Sequence, residues 1–210
     1  MTVPSAFGVL ASGSAASTSF VTAASYTPGG ASQVVTFAGA AAGNLALVVV
    51  SFASGTATPA GWTLVGSYTW VTFGYVQSVY SKVLTSGDIS TGSVTFTSTQ
   101  NGGTVMAAFY AGPTVATIVS TGDGTPDAAM PGFTKNAACK ALVAYATDRN
   151  PTSSITAPGT MTARIAPFVS SFFVSRLDDI LTVSNYTNGS TLTYAGTGIF
   201  AIVGQVIELT

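Results

Sequence analysis

The sequence predicts an all-β protein, an antiparallel jelly-roll-like β-sandwich. Three observations carry this. Runs rich in Val, Thr, Tyr and Phe recur every ~8–12 residues with Gly and Pro turns between them, the spacing of sandwich strands. The most apolar run, Leu45-Ala46-Leu47-Val48-Val49-Val50-Ser51-Phe52, is short, β-branched and bounded by Gly43 and Gly55, which suits a strand buried on both faces better than a helix. A second, similar set of runs follows in the second half of the chain.

In chain order, residues 1–17 are rich in Ala, Ser and Gly without periodicity, and read as an N-terminal arm or a loosely held strand. Residues 18–26 and 33–37 read as strands separated by the Pro28-Gly29-Gly30 turn. The alanines of residues 38–43 are too few for a stable helical turn and lead into the central strand. Thr58-Pro59-Ala60-Gly61 is a turn: proline presets φ, glycine permits positive φ, and Trp62 drops back onto the core. Further strands are predicted at residues 63–71, 74–84, 93–98 and 104–110, with one more at 115–120. Asp123-Gly124, Pro126, Pro131 and Gly132 mark residues 122–136 as a long loop.

The second half echoes the first in pattern more than identity. Ala141-Leu142-Val143-Ala144-Tyr145-Ala146 answers Ala46-Leu47-Val48-Val49-Val50-Ser51 at an offset of 95, from 46 to 141. Ala157-Pro158-Gly159 answers Pro59-Ala60-Gly61 at an offset of 99, from 59 to 158, with Met161 near the position of Trp62. The run Phe168-Val169-Ser170-Ser171-Phe172-Phe173 answers Tyr75-Val76-Gln77-Ser78-Val79-Tyr80, and Leu192-Thr193-Tyr194 answers Val94-Thr95-Phe96. The expectation is one sandwich domain over residues 18–210. Its halves, about 18–121 and 137–210, have four to five strands each and are joined by loop 122–136. Leu47, Val49, Trp62, Val143 and Ile202 are expected in the core.

Composition excludes several functions. Charged residues make up 6% of the chain against a usual ~25%, so the polar surface must be Ser, Thr, Gly, Asn and Gln. A net charge of −1 gives little colloidal repulsion and favours association. The six cations, Lys82, Lys135, Lys140, Arg149, Arg164 and Arg176, are scattered, which argues against nucleic acid. No basic amphipathic helix is present, and every apolar run stops well short of the ~20 residues of a membrane helix. No Lys or Arg precedes the first apolar residues, so no signal peptide is expected. Cys139, the single cysteine, reads as a buried inert thiol.

The chemistry of catalysis is mostly missing. Without histidine, no Ser-His-Asp or Cys-His arrangement exists, and neither enzymatic activity nor a cofactor is expected. Asp178 and Asp179 would point to opposite faces of a strand, so they do not form a glycosidase pair, and they read as a turn flanked by Arg176. Asp123 and Asp127 are weak calcium candidates, because their loop lacks the alternating acids of an EF-hand. Of Trp62, Trp70, Phe73, Tyr75, Tyr80 and Tyr110, most should be core or cross-strand pairs. Trp70 and Phe73 flank a hairpin turn and are the candidate contacts for a glycan or partner. Asn185-Tyr186-Thr187 and Asn188-Gly189-Ser190 fit the glycosylation pattern only by chance.

The combination of Gly43-Asn44-Leu45-Ala46-Leu47-Val48-Val49, Pro59-Ala60-Gly61-Trp62-Thr63-Leu64-Val65, Tyr80-Ser81-Lys82-Val83 and Val94-Thr95-Phe96 resembles a broad set of bacteriophage virion proteins. Pro158-Gly159 and the closing apolar strand fit the same template, which covers almost the whole chain from about Ser17. Members usually carry an acid where this chain has Asn44. The resemblance implies a β-sandwich on a phage particle, assembled in the host cytoplasm, with no catalytic residues to carry over. Two functions follow as expectations. The first is a capsid decoration or cement protein that binds the major capsid protein; the second is a tail-fibre or spike adhesin that holds a host glycan. Low charge and flat Ser/Thr/Val faces point to a homo-oligomer, expected to be a trimer.

Overall fold

The computed structural model describes residues 18–27, 30–52, 55–70, 74–99, 102–124, 127–170, 173–198 and 202–210. The proposed arm at residues 1–17 and the candidate contact Phe73 lie outside them. The described residues are nearly all β, with one six-residue helix, α1 (Ser86–Thr91). Thr85 and Asp88 close that helix with a reciprocal capping box.

The first half contains β1 (Ser19–Tyr26), β2 (Ser32–Thr36), β3 (Leu45–Phe52), β4 (Thr56–Ala57), β5 (Thr63–Trp70), β6 (Tyr75–Val83), β7 (Ser93–Ser98) and β8 (Gly103–Ala111). They form a five-stranded sheet, β1-β8-β3-β6-β5, and a three-stranded sheet, β2-β7-β4. The second half contains β9 (Ala116–Gly124), β10 (Ala128–Met130), β11 (Ala141–Asp148), β12 (Ser154–Thr156), β13 (Thr162–Val169), β14 (Val174–Ile180), β15 (Leu192–Thr197) and β16 (Ile202–Leu209). Their sheets are β13-β14-β11-β16-β9 and β10-β15-β12. Adding eight to each strand number of the first half reproduces the second. Each half is thus an eight-stranded jelly-roll-like sandwich, and every pairing is antiparallel.

Four layers result, and three clusters fill the gaps between them. Within the first half, Val35, Val48, Val50, Trp62, Tyr80, Phe96 and Phe109 fill the space between the two sheets. Met130, Leu142, Ala144, Ile155, Tyr194, Ile202 and Val206 do the same in the second. The two five-stranded sheets then pack face to face through Leu45, Leu47, Val49, Val79 and Met106 on one side and Val143, Tyr145, Leu177, Ile207 and Leu209 on the other. That is why β3 and β11 are buried along their whole length: each is covered on both faces. All five expected core residues are buried.

Several expectations need correction. Residues 122–136 are not simply a connecting loop. They include the end of β9 and all of β10, and β9 is an edge strand of the second half because it pairs along its length with β16. The halves therefore meet near Gly112 to Val115, where Thr114 and Val115 hydrogen-bond the C-terminal Thr210. Gly122 and Gly124 read as turn residues, but they lie in β9 where backbone passes close. A Cβ on Gly122 would fall 2.1 Å from the Ala129 carbonyl oxygen. Each half also has eight strands, not the expected four to five; the difference includes two- and three-residue pieces such as β4 and β12, which give almost no periodic signal. Phe168 and Val169 end β13, and the strand that answers β6 is β14.

The repeat offset also shifts. Leu45 and Ala141 open equivalent strands and both face the layer between the halves, so the offset is 96. An offset of 95 would pair Ala141 with Ala46, which faces the opposite cluster. A one-residue slip in a strand turns every side chain over.

Candidate functional site

Trp70, at the end of β5, pairs with Tyr75 across the hairpin, and their rings stack at 6.2 Å. Tyr75 in turn meets Phe173 edge-on at 5.3 Å, with Val203 completing the cluster. Trp70 is half-buried against these residues, so it caps one end of the seam between the halves and is not a free stacking platform. Asp123 is exposed on the half-buried strand β9 and accepts a hydrogen bond from the Tyr68 hydroxyl on β5, a contact that joins the two halves. That bond and partial burial push the Tyr68 phenol up to about 12. Asp127 is exposed beside β10. Among the described residues, no three acids, cysteines or histidines gather as a metal cluster.

Asp178 and Asp179 are the clearest departure from expectation. They lie in β14, not in a turn, and both are fully buried on opposite faces. Asp178 faces the second-half core. It accepts hydrogen bonds from Arg176 Nε at 2.9 Å and Nη2 at 2.9 Å, and from the Tyr194 hydroxyl at 2.8 Å. Asp179 faces the layer between the halves and accepts from Arg164 Nε at 2.8 Å. Burial raises the Asp179 carboxyl above its ordinary value, and Arg164 opposes the shift. Burial is the largest cause that drives the Tyr110 hydroxyl well up, and the neighbouring Asp179 adds to it.

A polar group crosses the same layer at its other end. Ser51 and Thr147 are equivalent residues at the offset of 96, and their hydroxyls lie 3.2 Å apart. Thr147 also accepts from Gln77 Nε2 at 3.1 Å and meets Ser175 at 2.9 Å, which reaches Thr104 at 2.6 Å. Contact between equivalent residues marks the pseudo-two-fold axis relating the halves. These hydroxyls are buried and bonded to one another, so they set the register of the layer and present nothing to solvent.

Cys139 is half-buried. Desolvation, with Glu208 beside it, pushes the thiol up to about 12, which leaves it unreactive at neutral pH. This agrees with its inert reading, although it is not fully enclosed.

One open cleft of about 490 Å³ is lined by Thr160, Thr162, Arg164, Ile180, Leu181 and Thr182. It lies beside edge strand β13, next to the place where the two halves meet. Arg164 reaches across that boundary: its guanidinium carbon sits 4.3 Å from the centre of the Phe20 ring on β1. Sequence reasoning passed over Arg164 as one scattered cation. Comparing the repeats would have found it, since Pro59 and Pro158 set an offset of 99 that aligns Arg164 with Val65.

The described residues offer hydrogen-bonding and ion-pairing chemistry. No helix among them is long and apolar enough to cross a membrane. No protein-family model, no curated protein and no solved structure matches this chain.

Proposed function

We propose that this chain is a structural protein of a bacteriophage particle, a capsid decoration or cement subunit that docks on the major capsid protein. The observation that supports this is the distribution of surface. The two five-stranded sheets cover each other inside the chain, which leaves the three-stranded sheets facing outward. Their exposed side chains are small and uncharged: Ser32, Val34, Thr36, Thr95 and Thr97 in the first half, Ser154, Thr156 and Thr197 in the second. Broad faces of this kind form weak contacts that become strong only when repeated over a lattice. The adhesin alternative loses support at Trp70, which is committed to packing. Immunogold labelling and copy number on purified particles test the proposal. Hundreds of copies over the head are expected; a handful at the tail tip would overturn decoration and favour the adhesin.

A further inference from the structure

The two halves repeat the same strands, so a charge that only one of them carries is not required by the fold. Arg164 is such a charge. The register of β13 against β14 skips it, passing from Ala163–Asp178 to Ile165–Leu177. The register of β5 against β6 skips Val65 in the same way, passing from Leu64–Tyr80 to Gly66–Val79. Both are bulge residues, and bulges re-aim side chains at sheet edges. Val65 uses its bulge to pack on the apolar layer between the halves. Arg164 uses the equivalent bulge to line the cleft.

We propose that this cleft binds an acidic saccharide, with the sugar carboxylate on Arg164 and a ring against Ile180 and Leu181. The inference rests on these residues alone and not on any placement within a virion.

Arg164 is held from two sides. Its Nε donates to buried Asp179 at 2.8 Å, and Phe20 covers one face of the guanidinium. Among the described residues, neither Nη group has a hydrogen-bond partner, so up to four N–H donors remain on a fixed plane at the cleft wall. A fixed guanidinium fork matches a carboxylate better than any neutral acceptor. Asp179 offsets part of the charge, and among the described residues no second cation lines the cleft. That balance suits one negative charge and disfavours a phosphate dianion. The exposed hydroxyls of Thr160, Thr162 and Thr182 each donate and accept, as sugar hydroxyls require. Half-buried Ile180 and Leu181 supply an apolar surface for the C–H face of a ring. The volume lies within the usual small-molecule range of roughly 300–1,000 Å³.

The test uses the full chain, titrated with trigalacturonic acid, its methyl ester and N-acetylneuraminic acid, and followed by calorimetry and amide chemical shifts. Saturable millimolar binding of at least one acid is expected, with shifts at Thr162, Arg164 and Thr182. The ester should bind about tenfold more weakly or worse, the scale of a lost charge-assisted pair. Which acid binds distinguishes uronate from sialylated glycans. Arg164→Gln with Asp179→Asn removes both charges together and should abolish binding while the fold is retained by circular dichroism. Thr162→Val with Thr182→Val leaves the buried pair intact and should weaken binding severalfold. Equal binding of acid and ester, full binding by the folded Arg164/Asp179 double variant, or no saturable binding of either acid would overturn the proposal.

Discussion

Asp179 is fully buried with a raised carboxyl pKa, and it places a pH-sensitive group between the two halves. Arg164, Tyr110 and Asp178 are the charged or titratable groups acting on it. A carboxyl whose folded value exceeds its unfolded 3.8 binds its proton more tightly in the folded state. Its stabilising contribution is therefore fully present below 3.8 and is lost as pH rises through the folded value. Asp88 works in the opposite sense. Its hydrogen bond from Lys82, at 2.5 Å, leads the effects that hold it down to about 2, so its contribution is present above 3.8 and lost toward that lower value. The two windows lie on opposite sides of 3.8 and can be separated. Denaturant unfolding of the wild type and the Arg164→Gln/Asp179→Asn variant, compared across pH, should show the wild type losing relative stability as pH rises above 3.8. A difference independent of pH above 3.8 would contradict this account.

The Pro59–Trp62 turn is the element whose sequence and structure agree most closely. Trp62 N–H donates to the Pro59 carbonyl at 3.1 Å, and Gly61 supplies φ +76°. Met161 donates to Pro158 at 3.0 Å in the second half, so the same turn delivers a different side chain. Trp62 stacks on Phe37 at 6.4 Å and meets Phe96 edge-on at 5.3 Å. The second half, with Tyr194 where Phe96 stands, packs the smaller Met161 partly against its core. Trp62→Ala should cost about 3–5 kcal/mol by leaving a cavity among these rings. Trp62→Met should cost clearly less, because an unbranched flexible side chain fills an irregular gap that this turn already accepts in the other half. Chemical denaturation of both variants checks the order; equal losses would mean that methionine fills none of the space the ring leaves.

At the scale of the whole molecule, the apolar faces of both five-stranded sheets are used up inside the chain, so self-association must use other surfaces. Among the described residues, the outer three-stranded sheets and the sheet edges are the surfaces left for a trimer. Val34, 47% exposed, sits between Ser32 and Thr36 on the outer face of β2, where Thr95 is its cross-strand neighbour. Light scattering of the wild type should give a trimer. Val34→Lys places a charge on that flat face and should shift the mass toward monomer with little change in melting temperature. A monomeric wild type at high concentration would refute the trimer, and a trimer unaffected by Val34→Lys would move its contacts to the edges or the second half.

The class of fold, the central strand, the paired proline turns, the five core residues and the existence of a repeat are all legible in the amino-acid order. Each is a local signal: β-branched runs, alternation and fixed turn chemistry act within a few residues. Strands as short as β4 and β12 are not legible because two or three residues carry no period, and the end of β9 is not because its glycines, needed for close backbone approach, read as turns. The offset of 96 was invisible for a similar reason, since Ala, Leu and Val fit either face of a strand covered on both. That each half is a complete sandwich, and that the halves join through their larger sheets, emerges from long-range packing. The same packing put Asp178 and Asp179 in separate interiors and brought Arg164 beside Phe20. Those outcomes depend on which faces meet across about a hundred residues of chain, and burial of long-range surfaces leaves no pattern within a short window.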